Sequence, residues 1–582
     1  MTIADAAQRQ RALDPRRSFA VAAPAGSGKT ELLTQRVLRL LATVDSPEEI
    51  LCMTFTRKAA GEMRHRIIHA LTLADSHSQP EGDHQQTTLQ LAAAALARNR
   101  EKNWQLLQCP NRLRIQTIDG FCLNLAQQLG PESGIGDYAE PLDDAEPHFR
   151  LVIAEWLLRE LEQQTTEGQA VATLLQHLDN DLDKLEQLLI ALLKKREQWL
   201  SHMFSSRNAR GYLEAFLNNV IEETLDATAS LLAPFDSELA LLADYAGSQL
   251  PPEKNDLPIR YCQGMTALPG HAATDLPIWL GICELLLTRD SKWRSRVDKN
   301  TGFPTEANGD KVLAKQRKAS HAALVNQLSD TGGLKELLED IRALPKPRYE
   351  ENQWLALNAL TYLLPTLAAA LSLHFQQHRV CDFTEITLAA LRALGPEDEP
   401  TDLALRLDYQ IKHILTDEFQ DTSSVQFDIL RRLIAGWEQD DGRTLFIVGD
   451  AMQSLYSFRN ANVGLFLEAR TLPIGQLQLE ALDLQVNFRS QENLIHWVND
   501  AFPDIFPTRD EIGRGAVSYN PAIAFHGALP EQPVTLDAFI NAPDNSAEAS
   551  RVVALVNAAK KRNPQGSIAI LVRTRTQLPD IL

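Results

Sequence analysis

Cysteine is scarce in this chain of 582 residues: there are six, widely spaced, and no two stand in C-x-x-C spacing. That spacing excludes a disulfide framework and a cysteine-ligated zinc or iron–sulfur centre, and it fits reduced thiols buried in a cytosolic protein. Long apolar runs are also missing. No stretch approaches the ~18–20 consecutive apolar residues of a membrane helix, so the expectation is no membrane association and a cytoplasmic chain. Arg16-Arg17-Ser18 begins like an export signal, but Pro24, the glycines and Lys29 cut short the apolar stretch that follows, which reads instead as the approach to a strand. Positive charge is in deficit: 57 Lys and Arg against 76 Asp and Glu give a net charge of -19. A global basic field for nucleic acid is therefore excluded, and any contact with a polyanion must be confined to a groove. Residues 1–70 are the exception at +4, which fits a local polyanion site and scattered surface charge equally well. Internal repeats and low-complexity tracts are absent.

What is present is ordinary globular composition, 44% hydrophobic and 23% charged, long enough for about three or four domains. Residues 18–130 alternate β-rich runs with helical patterns: strands at 49–55 and 112–117, helices at 57–70 and 119–128, and a polar loop at 75–84. This is the rhythm of a parallel α/β sheet. From about 130 to 380 the apolar period becomes helical, a large insertion in which Lys194-Lys195-Arg196 reads as the cationic end of a helix. Alternation then resumes, with strands expected at 411–416, 444–448, 477–486, 534–539 and 567–572, and helices at 424–433, 491–502 and 547–559.

The stretch around which this rhythm is organised is Ala23-Pro24-Ala25-Gly26-Ser27-Gly28-Lys29-Thr30, between the apolar run Phe19-Ala20-Val21-Ala22 and an amphipathic helix. A strand, a glycine turn and a helix make a phosphate-binding loop. Wrapping backbone N–H groups around a polyphosphate needs glycine at Gly26 and Gly28, while Lys29 supplies charge and Thr30 a hydroxyl for Mg²⁺.

Further along, Ile414-Leu415-Thr416-Asp417-Glu418-Phe419-Gln420-Asp421 sets two carboxylates at the end of a buried-looking strand. In a nucleotide hydrolase, Asp417 would hold the Mg²⁺ shell and Glu418 would orient and deprotonate water. Phe446 to Arg459 is another strand ending in a polar turn, where Gln453 could sense a γ-phosphate and Tyr456 and Phe458 offer faces for bases. Val486-Asn487-Phe488-Arg489-Ser490 adds an arginine at a strand end, within reach of developing phosphate charge. Asp408-Tyr409-Gln410, just before the acidic strand, reads as structural.

The order and spacing of these segments resemble superfamily 1 helicases of the UvrD/Rep type, in the RecB/AddA-like branch. Residues 54–63 are similar to motif Ia, Thr117 to Cys122 to motif Ib, Asp417 to Thr422 to motif II, Val448 to Arg459 to motif III and Asn487 to Ser490 to motif IV. The family commonly opens its loop with Ala, as Ala23 does here. The resemblance implies an α/β fold: a P-loop NTPase (RecA-like) motor domain 1A formed by 1–130 and 381–475, a 1B-like helical insertion at 131–380, and the start of a second RecA-like domain, 2A-like, at 476–582. It implies ATP and Mg²⁺ held by residues 23–30, with Gln8 reading adenine, Phe488 stacking on it, Thr30 and Asp417 on the metal, and Lys29, Glu418, Gln453 and Arg489 serving catalysis. Phe55, Thr56, Arg57, Thr117, Tyr456 and Phe458 would meet single-stranded DNA.

The same resemblance expects a 2B insertion and motifs V and VI beyond residue 582, so the chain reads as the front half of a motor. Two functions of different class fit. One is an ATP-dependent helicase or translocase on single-stranded DNA and single/double-strand junctions in repair or recombination, moving 3′ to 5′, with a RecC/AddB-like partner subunit or a C-terminal half. The other is an ATP- and DNA-binding or partner-interaction module without productive unwinding.

Overall fold

The computed structural model describes residues 3–76, 82–128, 140–142, 144–163, 165–203, 209–254, 256–306, 310–455, 461–530, 534–540, 546–574, 578, 579 and 581. Ten strands occur among them: β1 (Phe19–Ala22), β2 (Ile50–Thr54), β3 (Arg114–Thr117), β4 (Glu140–Pro141), β5 (Val380–Cys381), β6 (His413–Thr416), β7 (Thr444–Gly449), β8 (Glu480–Asp483), β9 (Val486–Gln491) and β10 (Ile523–His526). Six of them form one parallel sheet in the order β3-β2-β6-β7-β1-β8.

The inner strands read as unbroken apolar runs because both faces of the sheet are covered. Ile50 and Cys52 of β2, Leu415 of β6, and Phe446 and Val448 of β7 enter a core with the helices Lys29–Leu41, Arg57–Asp75 and Asp83–Glu101. Their neighbours Leu51, Met53, Ile414, Leu445 and Ile447 enter a second core with Ile118–Gln128, Phe383–Leu394 and Ser424–Leu433. Parallel pairing brings the C-terminal ends of β1, β6 and β7 to one edge, the crevice where open α/β sheets place their ligands.

The large insertion leaves and rejoins this body through β4 and β5, which pair side by side with Glu140 opposite Val380 and Pro141 opposite Cys381. Between them the described chain is mainly helical and holds two apolar cores. One joins residues 145–200 to the helix Glu351–His378, and the other lies within residues 221–344. At the root, Arg196 is buried against Asp382 at 2.7 Å and Glu385 at 3.2 Å, while Lys194 meets Glu146 at 2.7 Å, so these cations are engaged in ion pairs.

Three expectations are corrected. The helix Glu351–His378, at 28 residues, is long and apolar enough to cross a membrane by length and composition. Its Leu363, Leu364, Leu367, Leu371 and Phe375 are buried in the insertion core, which explains the apolar content that polar interruptions concealed in the sequence. The single strand expected at 477–486 is divided: β8 pairs with β1 in the first sheet, and β9 pairs in parallel with β10 in a second. The apolar alternation of Leu482, Leu484 and Val486 runs straight across the break between the two strands, so it does not reveal which neighbour each residue will pair with. The first sheet therefore takes its last strand from beyond residue 475. Finally, the described residues of 534–539 and 567–572 form no strand. Leu536 is 92% exposed and Leu571 96%, because β-propensity needs a partner edge to become a strand and neither segment has one among the described residues.

His413, buried at the head of β6, meets the Thr444 hydroxyl at 2.8 Å. Burial above all, then the charges of Arg36 and Lys412, lower its pKa from 6.5 to about 3. The unfolded chain gains a proton near pH 6.5 and the folded chain does not, so stability is full above 6.5 and is lost as pH falls toward 3. At 1.36 kcal/mol for each pH unit, the loss at pH 5 is about 2 kcal/mol. Denaturant unfolding of His413→Gln should therefore lose about 2 kcal/mol less than the wild type between pH 7 and pH 5.

Candidate nucleotide-binding site

The loop after β1 is held open by bonds to its own backbone and to three other segments. Ala23 N–H donates to Gly449 O at 2.9 Å, Ser27 N–H to Pro24 O at 3.0 Å, and Ala25 N–H to the Asp450 carboxylate at 3.2 Å. Gly26 and Gly28 have φ of +80° and +77°, the left-handed region that side chains with a Cβ rarely adopt. The N–H groups of Gly26, Gly28, Lys29 and Thr30 meet no acceptor among the described residues. Ser27 Oγ, also buried, likewise has no hydrogen-bond partner among them. Donors left over at a helix N-terminus, with the helix dipole behind them, form a cradle for an anion.

Lys29, first residue of the helix Lys29–Leu41, donates to Glu418 Oε2 at 2.6 Å and lies 3.8 Å from Asp417 Oδ1. Both carboxylates follow β6. Glu418 sits in the left-handed region at φ +53° and also accepts from Gln420 Nε2 at 2.9 Å. Burial lifts the pKa of Asp417 to about 6, with Lys29 pulling it down and Glu418 pushing it up. A buried carboxylate held this reluctantly as an anion, beside the hydroxyl-bearing first turn of the loop helix, has the chemistry to take a divalent cation. The residues present fit a Mg²⁺–polyphosphate.

The opposite wall comes from the second sheet. Phe488 N–H donates to Gly26 O at 2.7 Å, and Asn487 Nδ2 donates to Ala25 O at 2.9 Å. Asn487 Oδ1 accepts the N–H groups of Arg489 and Ser490, both at 2.9 Å, which folds the strand end around the loop. The Arg489 guanidinium makes no ion pair or hydrogen bond among the described residues. Gln453 Nε2 donates to Asp450 Oδ2 at 2.7 Å, the same carboxylate oxygen that binds the loop at Ala25.

The first helix, Ala6–Ala12, completes the enclosure. Gln8 Oε1 accepts the Asp483 N–H at 2.7 Å. Arg9 donates to Ser27 O at 2.7 Å, lies 5.0 Å from the Phe488 ring centre and is clamped by Asp5, which also accepts the N–H groups of Gln485 and Val486. Sequence patterns do not single out Asp5, Arg9, Gln420, Asp450 or Asn487 as site residues. Four of them stand inside or beside the motif segments, whereas Asp5 carries no motif at all.

The residues expected on DNA lie apart from this cluster. Half-buried Phe55 follows β2 and lines a cleft of about 270 Å³ with Asp119, Asp421, Ser423 and Gln426. Thr56 caps the helix that Arg57 begins, accepting the Ala59 N–H at 3.1 Å, and Thr117, at the end of β3, accepts the Gly120 N–H at 3.0 Å. Tyr456 and Phe458 lie outside the described residues. Asp408 is structural, accepting from Trp437 Nε1 at 3.0 Å and from Arg443 at 2.8 Å.

Comparison with known families supplies the lineage of this geometry. The model of the UvrD/REP helicase N-terminal domain matches residues 4–472. The chain belongs to this family. Among relatives of this UvrD/Rep chain is the A subunit of the ATP-dependent helicase/nuclease from Lysinibacillus sphaericus (strain C3-41), 26% identical over 560 residues that cover 89% of the chain and 41% of the relative. The proteins of the same name from Bacillus cytotoxicus and Staphylococcus carnosus are 27% identical, covering 88% and 91% of the chain and 40% and 41% of those relatives. The UvrD/Rep chain thus spans 40–41% of the length of these three proteins.

A Cβ at Gly26 would stand 2.7 Å from Asn487 Oδ1 and 2.9 Å from the Arg489 Cβ, whereas one at Gly28 would find its first neighbour at 3.6 Å. Both substitutions strain the backbone, and only the first also pushes against the second sheet. Gly26→Ala should lower stability by about 1–3 kcal/mol and weaken nucleotide binding more than Gly28→Ala does. Thermal unfolding and titration with a fluorescent ATP analogue read the two effects.

Proposed function

We propose that this chain is the ATP-driven part of a DNA helicase or translocase acting in repair or recombination. The observation that carries the reading is the Lys29–Glu418 pair at 2.6 Å, set on a loop with four backbone donors that meet no acceptor among the described residues. An incoming γ-phosphate competes for Lys29. That exchange releases Glu418, still held by Gln420, to take the proton of the attacking water. Thr30 and Asp417 would hold Mg²⁺, which would supply neutralising charge to the phosphate oxygens. Gln453 reports on the γ-phosphate through Asp450, which grips the loop at Ala25, and Arg489 brings a cation from the opposite wall. Gln8 and Phe488 hold the adenine, with Arg9 behind the ring. Since Asn487 and Phe488 bond the loop directly, a change in loop occupancy is passed to the second sheet.

The division of labour follows the same reading. Residues 1–130 and 381–475, together with β8, act as the first motor domain, 131–380 as a 1B-like insertion and the rest as the beginning of a 2A-like domain. Single-stranded DNA would cross the strand ends at Phe55, Thr56, Arg57 and Thr117 and continue past Tyr456 and Phe458. Movement 3′ to 5′, action at junctions, a cytoplasmic setting and a RecC/AddB-like partner belong to this proposal.

ATP hydrolysis by the full chain, with and without single-stranded DNA, tests it. Glu418→Gln should lower the DNA-stimulated rate by about 10²-fold or more while retaining nucleotide binding, and Lys29→Ala should weaken binding itself. Hydrolysis that survives both substitutions would sink the assignment. Binding of ATP and DNA without stimulated hydrolysis in the wild type would point instead to a non-unwinding module.

A further inference from the structure

A second groove, of about 420 Å³, lies along the edge strand β3 of the motor sheet. Its walls come from Arg114 and Gln116 on β3, Asn124 and Gln128 on the helix Ile118–Gln128, and Arg406 and Gln410 on the helix Asp402–Gln410. Gln410 stands just before the N-terminal end of β6, whereas the loop, Phe55 and Thr117 stand at the C-terminal ends of their strands. The groove thus extends from Gln116 and Phe121, beside the expected DNA contact Thr117, toward the opposite ends of the strands.

Its charge is unusual for this chain. The two ionisable side chains lining it are arginines and no carboxylate lines it, in a protein of net charge -19. The cleft at Phe55 is the opposite, with Asp119, Asp144, Glu146, Glu197, Asp382 and Asp421 against the single cation Lys194. Arg406 is exposed and makes no ion pair among the described residues, and the side chain of Arg114 makes one long hydrogen bond, 3.4 Å to Gln410 Oε1. Surface arginines of acidic proteins ordinarily find carboxylates; here the concave face holds none. The remaining polar lining is amide, offering donors and acceptors together. At the groove's rim, outside its lining but one helical turn from Arg406, Tyr409 is 91% exposed.

We infer that this groove is a second binding site for a single-stranded polynucleotide, with Arg114 and Arg406 on consecutive phosphates, the amides on base edges and Tyr409 as a stacking platform. A guanidinium pair alone would suit any polyanion. The amides and the exposed ring are what an acidic peptide would leave unused and an unstacked base would engage. A duplex keeps its bases stacked and gives Tyr409 nothing to stack on. The site lets one strand remain attached to the motor while the other track is cycling.

The test uses the full chain without nucleotide, so its result does not depend on the ATPase assignment. Fluorescent oligothymidylates of about ten and about forty nucleotides are titrated over a salt series. For the long strand, Arg114→Gln/Arg406→Gln should flatten the salt dependence by about 1.4 in log–log slope, at ~0.7 for each phosphate released, and weaken binding about tenfold. Tyr409→Ala should weaken long-strand binding by roughly fivefold or more with the slope unchanged. Neither variant should alter binding of the short strand or the melting temperature. A photoreactive bromodeoxyuridine strand should crosslink within residues 402–410. Long-strand binding unchanged in both variants would overturn the site, as would equal losses for short and long strands, which would place these residues on a single common track.

Discussion

A loop that keeps four backbone N–H groups without an acceptor among the described residues is an unfavourable object, and the centre of this molecule is arranged to hold one in place. Left-handed glycines give the loop its shape, but conformational freedom alone would let it collapse onto itself. Asp450 takes the Ala25 N–H, Asn487 takes the carbonyl side of the same residue, Arg9 takes Ser27 O, and Phe488 takes Gly26 O. These four anchors come from β7's turn, the second sheet and the first helix. The geometry that leaves donors pointing into space is thus determined by most of the elements around it, so the site is pre-organised before any ligand arrives.

Acidic and basic groups inside the crevice are balanced against one another in the same way. Lys29 shields two carboxylates that would otherwise repel each other, and Glu418 is held in a strained left-handed conformation while doing so. In the proposed function, a polyphosphate with a divalent cation would replace that internal pairing by an external one of the same charge pattern. The protein does not have to create an electrostatic site on binding; it exchanges partners within one.

Much of this was legible in the sequence because each signal there was local. Strands β1, β6 and β7 are apolar runs since both faces are covered, and the glycine loop and Asp417-Glu418 follow their strands directly. What could not be read depends on a neighbour distant in the chain. Nothing in residues 477–491 says that Asp483 ends one sheet and Val486 opens another. Likewise, 534–539 has the composition of a strand without an edge to join. Asp5 stands at the N-cap of a short polar helix and Arg9 sits within it, and they acquire meaning only where that helix meets Ser27 and Phe488. The helix Glu351–His378 lies in the stretch whose apolar period reads as helical, but only packing shows which of its apolar residues are covered: Leu363 and Leu367 are buried, while Leu355 and Leu373 are exposed.

The pairing of β4 with β5 has a consequence for how such a molecule can change. The chain departs at Pro141 and returns at Val380 on adjacent parallel strands, so the host fold sees the insertion as one long crossover whose stem is already closed. Closure entropy grows only logarithmically with the length of what lies between, and the two helical cores beyond the stem are satisfied within themselves. The body of the motor is therefore nearly indifferent to the size of its appendage. Beyond its root, where Arg196 ties it to Asp382 and Glu385, the insertion is a graft that can be lengthened or trimmed over generations while the register of the sheet beneath it stays the same.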